Sequence, residues 1–223
     1  MNRPLRIGFS ACIMSLAIWL FACQSVADPD AAIPQADRKV ILCFGNSLTA
    51  GYGLDPSQAF PALIQKKIDA LGWPFTVINA GLSGETTAGG LRRIDWLLRR
   101  PIDVLVLELG ANDGFRGIDV EVTRNNLQAI INKTKEKYPQ VRVVIAGMQI
   151  PPNLGRSYAT QFRSVFSELA EKNDALLIPF FLEGVGGQPE LNLPDGIHPT
   201  AEGYRIVANN VWEVLEPLLK SMQ

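Results

Sequence analysis

Five short apolar runs punctuate the chain: VILCF (40–44), FTVI (75–78), VLVLEL (104–109), VRVVIA (141–146) and ALLIP (175–179). They are mostly continuous rather than alternating, the pattern of strands buried on both faces of a parallel sheet. Between them, apolar positions recur at helical spacing. One such segment carries Phe60, Leu63, Ile64, Ile68 and Leu71, and another carries Phe162, Val165, Phe166 and Leu169. A last one carries Ile206, Val207, Val211, Val214, Leu215 and Leu218, again near i, i+3, i+4. Asp55 and Pro56 supply an N-cap and a first position for the first helix, and Pro101 and Pro139 close the second and third. Five rounds of strand–helix alternation predict a three-layer α/β/α sandwich with right-handed crossovers. Sheets of that kind bind ligands beyond the carboxyl ends of their strands. Functional residues are therefore expected just after the apolar runs.

Four polar, glycine-rich segments meet that demand. GNSLTAGYGL (45–54) follows the first strand, NAGLSGETTAGG (79–90) the second, GANDGFRG (110–117) the third, and DGIHPT (195–200) the loop after the fifth. Ser47 follows Gly45 in a strand-to-helix turn, which can hold a hydroxyl at the sheet edge. A serine hydroxyl is a weak nucleophile until a base lies beside it. His198 is the only histidine in the chain, so a Ser–His mechanism must use it. Asp195, three residues earlier, is within reach of the far ring nitrogen and would fix the tautomer. Three donors are available for a developing oxyanion: the backbone N–H groups of Ser47 and Gly81 and the amide of Asn112. Each segment also has a plainer reading. NDG has the composition of a turn, and DGIHPT that of a loop capping the last helix. Only the four together, on one sheet edge, point to acyl transfer. Glu108 ends an otherwise apolar strand and needs partners if buried, the loop of Asn112 being one place for them. Glu85 and Arg116 read as charges on the rim.

Composition removes other classes. The chain is 47% apolar and 19% charged with a formal net charge of −1, and its Lys and Arg are scattered, so no nucleic-acid surface is expected. One histidine and a sparse set of cysteines supply no metal cluster, and the glycine-rich segment 81–90 lacks both the dinucleotide fingerprint and the P-loop lysine. No cofactor is expected. The N-terminus has Arg3 and Arg6, an apolar run from 7 to 22 and then small residues, the pattern of a secretion signal spanning 1–27. Two cleavage sites stay open: after SVA, before Asp28, or before Cys23, whose LFAC context resembles a bacterial lipoprotein box. A lipidated Cys23 would anchor the protein to a membrane. Residues 28–37 form a tether and 38–223 a single domain. Beyond the signal, Cys43 is the only cysteine, so no internal disulfide forms, and a buried apolar position suits it.

In this order the four segments resemble those of the SGNH (GDSL-type) hydrolases, and among them the bacterial thioesterase I, lysophospholipase and arylesterase group. The likeness spans essentially all of residues 38–219, including ELGANDGFRG and QIPPNLGRSY. It implies a flavodoxin-like fold with five parallel strands in the order 2-1-3-4-5. It also implies Ser47 as nucleophile, Asp195 and His198 as its partners, and Gly81 and Asn112 completing the oxyanion hole. One residue departs from the pattern: the family signature has Asp before the serine, and here stands Asn46. In relatives the loops after the third and fourth strands line the acyl pocket, which here means Phe115, Met148, Ile150, Pro151, Pro152, Leu154 and Tyr158. The implied activity is hydrolysis of acyl or aryl esters, extending to lysophospholipids and thioesters, by a monomer in the periplasm or anchored to a membrane. The alternatives are a carbohydrate acetylesterase of the same superfamily and a non-catalytic binding protein of the envelope.

Overall fold

The computed structural model describes residues 38–223. The stretches expected to form a secretion signal and a tether, Cys23 among them, lie outside the described residues. The strands are β1 (Lys39–Gly45), β2 (Phe75–Gly81), β3 (Val104–Glu108), β4 (Arg142–Ala146) and β5 (Leu176–Ile178). Helices α1 (Ser47–Ala50), α2 (Phe60–Ala70), α3 (Thr87–Leu97), α4 (Ala111–Phe115), α5 (Val120–Lys137), α6 (Arg156–Lys172) and α7 (Ala201–Ser221) connect and follow them. Every strand pair is parallel and the order is β2-β1-β3-β4-β5, as the resemblance implies. Right-handed crossovers put α2 on one face of this sheet and α3, α5 and α6 on the other, because the chain reverses its direction of travel after β2. The contacts agree: α2 packs on α7, α3 on α5, and α5 on α6.

The continuous apolar runs are explained by this layering. All five residues of β3 are buried, and Ile41, Leu42, Cys43 and Phe44 of β1 are covered on both faces. At roughly 1.5–3 kcal/mol for each fully buried large apolar side chain, these two strands contribute much of the core. Cys43 is among them, and burial, with the negative charge of Glu108 nearby, pushes its thiol far above the usual range. Two boundaries differ from expectation. Asp55 does cap a helical turn, accepting from the Ser57 N–H at 2.9 Å, but that turn is a separate 3₁₀ piece, Pro56–Gln58, and α2 begins at Phe60. Strand β2 runs on through Asn79 and Ala80 to Gly81, since β1 continues beside it and offers backbone partners that far.

The carboxyl ends of β2, β1 and β3 finish abreast. Gly45 of β1 pairs with Gly81 of β2 on one side and with Glu108 of β3 on the other. Between β1 and β3 the chain changes direction across the sheet, and the crevice that such a reversal opens is where the polar segments converge.

Candidate active site

Asn46 sets the geometry of the first segment. It is the N-cap of α1, and its side-chain oxygen accepts from the Leu48 N–H at 2.9 Å, satisfying one of the orphan donors of the first turn. Ser47 is thereby the first helical residue directly after β1, and it is largely buried. A second tie comes from α7, where the fully buried Tyr204 donates its hydroxyl to the Leu48 carbonyl at 2.9 Å.

The loop before α7 brings up the base. Leu193 N–H donates to the His198 carbonyl at 2.7 Å and Gly196 N–H to the Leu193 carbonyl at 2.8 Å, closing a tight turn with Gly196 at φ +70°. Within it, Asp195 Oδ1 accepts from the N–H groups of Ile197 (2.9 Å) and His198 (3.0 Å), while Oδ2 lies 2.7 Å from His198 Nδ1. The backbone N–H of His198 leads the contacts that hold the Asp195 carboxyl down at about 2, so it is ionised and can only accept. The proton is therefore on Nδ1, which leaves Nε2 free to accept from Ser47 Oγ at 2.9 Å. Thr200 caps α7 by accepting from the Gly203 N–H. The segment is thus both the helix cap that its composition predicts and the support of the imidazole. The Tyr52 ring packs against His198 with centroids 4.5 Å apart.

The oxyanion donors need one correction. The Gly81 N–H is turned to Asn79 Oδ1 at 2.9 Å, and Gly81 does not line the cleft beside Ser47. A Cβ on Gly81 would meet Ala50 N at 2.2 Å, so this glycine is needed for β2 to pass close to α1. Gly84, three residues on, does line the cleft. It sits at φ +78° with open space where a side chain would be, and its N–H has no partner among the described residues. Asn112, in the first turn of α4, also lines the cleft. It donates one amide hydrogen to the Glu85 carbonyl at 3.1 Å, which fixes the amide and leaves the second hydrogen available. Neighbouring groups hold this wall. Asp113 accepts from the Thr87 N–H at 2.8 Å, and Arg116 donates to the Gly84 carbonyl at 3.2 Å. Glu85 is not a rim charge: it is buried and ion-paired to Arg93.

Glu108 lies on the other side of the nucleophile turn. It is fully buried and bonds to residues 46 and 49, not to the loop of Asn112.

The cleft encloses about 510 Å³. Of the residues expected in it, Phe115, Met148, Ile150 and Pro151 line it. Pro152, Leu154 and Tyr158 do not. Tyr158 donates its hydroxyl to the Ile118 carbonyl at 2.6 Å and stacks on Phe162, and Leu154 lies against Gly117. Tyr52, Phe180, Leu182 and Ile197 complete the apolar wall. They stand in loops without periodicity, so no local pattern marks them.

Comparison with known proteins agrees with this geometry. The model of the GDSL-like lipase/acylhydrolase family matches residues 43–206. Esterase TesA of Pseudomonas aeruginosa is 40% identical over 186 residues, covering 83% of this chain and 92% of the relative. An arylesterase of Vibrio mimicus is 37% identical over 204 residues, covering 91% and 98%. Among solved structures, the psychrotrophic esterase EstA of a Pseudoalteromonas species, inhibited by monoethylphosphonate, superposes with a TM-score of 0.77 at 33% identity, over 82% of this chain and 99% of that one. By fold and by sequence across most of its length, the chain belongs to the GDSL-like lipase/acylhydrolase family, the SGNH hydrolases.

Proposed function

We propose that this chain is a serine esterase that hydrolyses acyl or aryl esters through a covalent acyl-enzyme. The observation that carries the reading is the unbroken line of hydrogen bonds from Ser47 Oγ to His198 Nε2 and from His198 Nδ1 to Asp195. Ser47 Oγ attacks the ester carbon while Nε2 takes the hydroxyl proton, and ionised Asp195 stabilises the imidazolium. The carbonyl oxygen becomes an oxyanion, met by the N–H groups of Ser47 and Gly84 and the Asn112 amide. As the C–O bond breaks, Nε2–H protonates the departing alcohol. A water then attacks the acyl-serine by the same steps in reverse order, releasing the acid and restoring the hydroxyl.

The apolar wall of the cleft supports an acyl chain or an aromatic ring as the group beside Ser47, with lysophospholipids and thioesters as further substrates of the same chemistry. The N-terminal pattern supports export, with Cys23 as a lipid anchor. The mass of the mature N-terminus tests this: an unmodified chain beginning at Asp28 rules out the anchor. The first test of catalysis is intact mass after incubation with a fluorophosphonate, followed by peptide mapping. One adduct on Ser47 is expected. A folded protein that remains unmodified would overturn the esterase reading in favour of a binding protein.

A further inference from the structure

The GYG turn after α1, residues 51–53, carries the half-exposed Tyr52 between two glycines. Gly51 and Gly53 stand at φ +79° and +78°, a backbone region that other residues rarely enter. Three contacts hold the turn. The Tyr52 N–H donates to the Ser47 carbonyl at 3.1 Å, directly behind the nucleophile. A Cβ on Gly51 would lie 2.6 Å from the Ala59 Cβ, so the turn sits hard against the N-cap of α2. A Cβ on Gly53 would lie 2.7 Å from Leu193 Cδ1, and Leu193 is the residue whose N–H donates to the His198 carbonyl. The turn is thus tied to the nucleophile at one end and leans at the other on the loop that carries the base. From this position the Tyr52 ring packs against the imidazole, with centroids 4.5 Å apart and planes inclined at 39°.

We propose that Tyr52 is a positioning residue for His198, whose ring braces the imidazole against Ser47 and favours the imidazolium that forms as Ser47 attacks. The proposal rests on the esterase reading above. Of groups able to titrate or carry charge, Asp195 of its own loop is the one ion-pair partner of His198 among the described residues. Ser47 meets the imidazole from α1, and Tyr52 from the turn that follows. Both ring nitrogens are engaged, Nδ1 by Asp195 and Nε2 by Ser47, so Tyr52 acts through its ring and not through a proton. An aromatic face within about 6 Å attracts a cation. His198 is neutral before attack and cationic in the transition state, so this contact strengthens as the reaction proceeds, the condition for raising kcat.

Tyr52→Leu and Tyr52→Phe test the proposal. Leucine keeps apolar bulk but removes the aromatic face, and phenylalanine keeps both. The side chain is half-exposed, so neither change opens the core. The leucine variant is expected to lose about 3- to 10-fold in kcat, with KM changed by less than about twofold. The phenylalanine variant should recover kcat to within about twofold of the parent. A pH profile separates charge stabilisation from simple support. Labelling of Ser47 by a small fluorophosphonate needs neutral His198 as base, so its rate falls on an acid limb set by protonation of that ring. Without the aromatic face the imidazolium is less favoured, and the limb of the leucine variant should move to lower pH by about 0.5 unit, the counterpart of about threefold. A ring that only shielded the imidazole from water predicts the reverse, since solvation eases protonation. A leucine variant at the parent kcat, a loss confined to KM, or a phenylalanine variant as slow as leucine would overturn the proposal. So would an acid limb that moves to higher pH or stays within about 0.1 unit of the parent's. A parent protein that is never labelled fails the esterase reading; a labelled parent whose leucine variant shares its rate and pH profile fails this one alone.

Discussion

The buried Glu108 carboxyl makes the stability of the fold depend on pH. Burial pushes this carboxyl up to about 7 from an ordinary 4.5, with the hydrogen bonds from Thr49 and Asn46 pulling the other way. Between about pH 4.5 and 7 the folded chain therefore binds more proton at this site than the unfolded chain does. Stability contributed by the group is fully present below 4.5 and is lost as pH rises through 7. At about 1.4 kcal/mol per pH unit, the full effect is about 3 kcal/mol, and about 2 to 3 kcal/mol of it falls between pH 5 and 8. Chemical unfolding of the parent and of Glu108→Gln, followed by circular dichroism at several pH values in this range, isolates the term, because the other titrating groups are shared. The variant begins at a disadvantage from its mismatched hydrogen bonds. Its deficit relative to the parent should then shrink, or reverse, by about 2 to 3 kcal/mol on going from pH 5 to pH 8. Parallel curves, within about 0.5 kcal/mol across the range, would refute the reasoning. They would mean that the donors on Asn46 and Thr49 outweigh burial and keep Glu108 ionised in the fold throughout.

Other outcomes follow from the site. Ser47→Ala and His198→Ala are expected to lower kcat by up to about 10⁶ and Asp195→Ala by about 10⁴, as measured for a comparable triad; steady-state hydrolysis of a chromogenic ester reads this, and a Ser47→Ala variant within tenfold of the parent would end the nucleophile assignment. Asn112→Ala should cost about 10² to 10³ in kcat if its free amide hydrogen meets the oxyanion, whereas a loss confined to KM would make it a substrate-holding residue. Gly81→Ala should lower stability by about 1 to 3 kcal/mol or more, because its Cβ would fall 2.2 Å from Ala50 N. Melting at the parent temperature would show that β2 and α1 can part without cost.

The local pattern of the chain went a long way. Uninterrupted apolar runs carry the information that a strand is covered on both faces, and all five runs form strands of one parallel sheet. The placement of polar segments after those runs carries the location of the site, since a parallel sheet gathers the carboxyl ends of its strands on one edge. Ser47, Asp195 and His198 could be named because few other side chains could perform their chemistry, and one of them is the only histidine.

What escaped local reading depends on which groups find partners across the fold. Gly81 and Gly84 stand three residues apart in NAGLSGE, and both have the backbone freedom that a donor close to substrate needs. Only the continuation of β2 along β1, and the Asn79 side chain that takes the Gly81 N–H, leaves Gly84 as the glycine with a free donor on the cleft. Tyr52, Phe180 and Leu182 join the cleft from loops whose course no periodicity describes. Glu108 meets Asn46 across 62 positions of sequence, through the register of β1 on β3. Hydrophobic period is a property of neighbouring residues and can be read along the chain. Satisfaction of a hydrogen bond belongs to pairs that only the packed sheet brings together, so the fold and the reactive residues were visible in the sequence, while the donors and supports around them were decided by the tertiary structure.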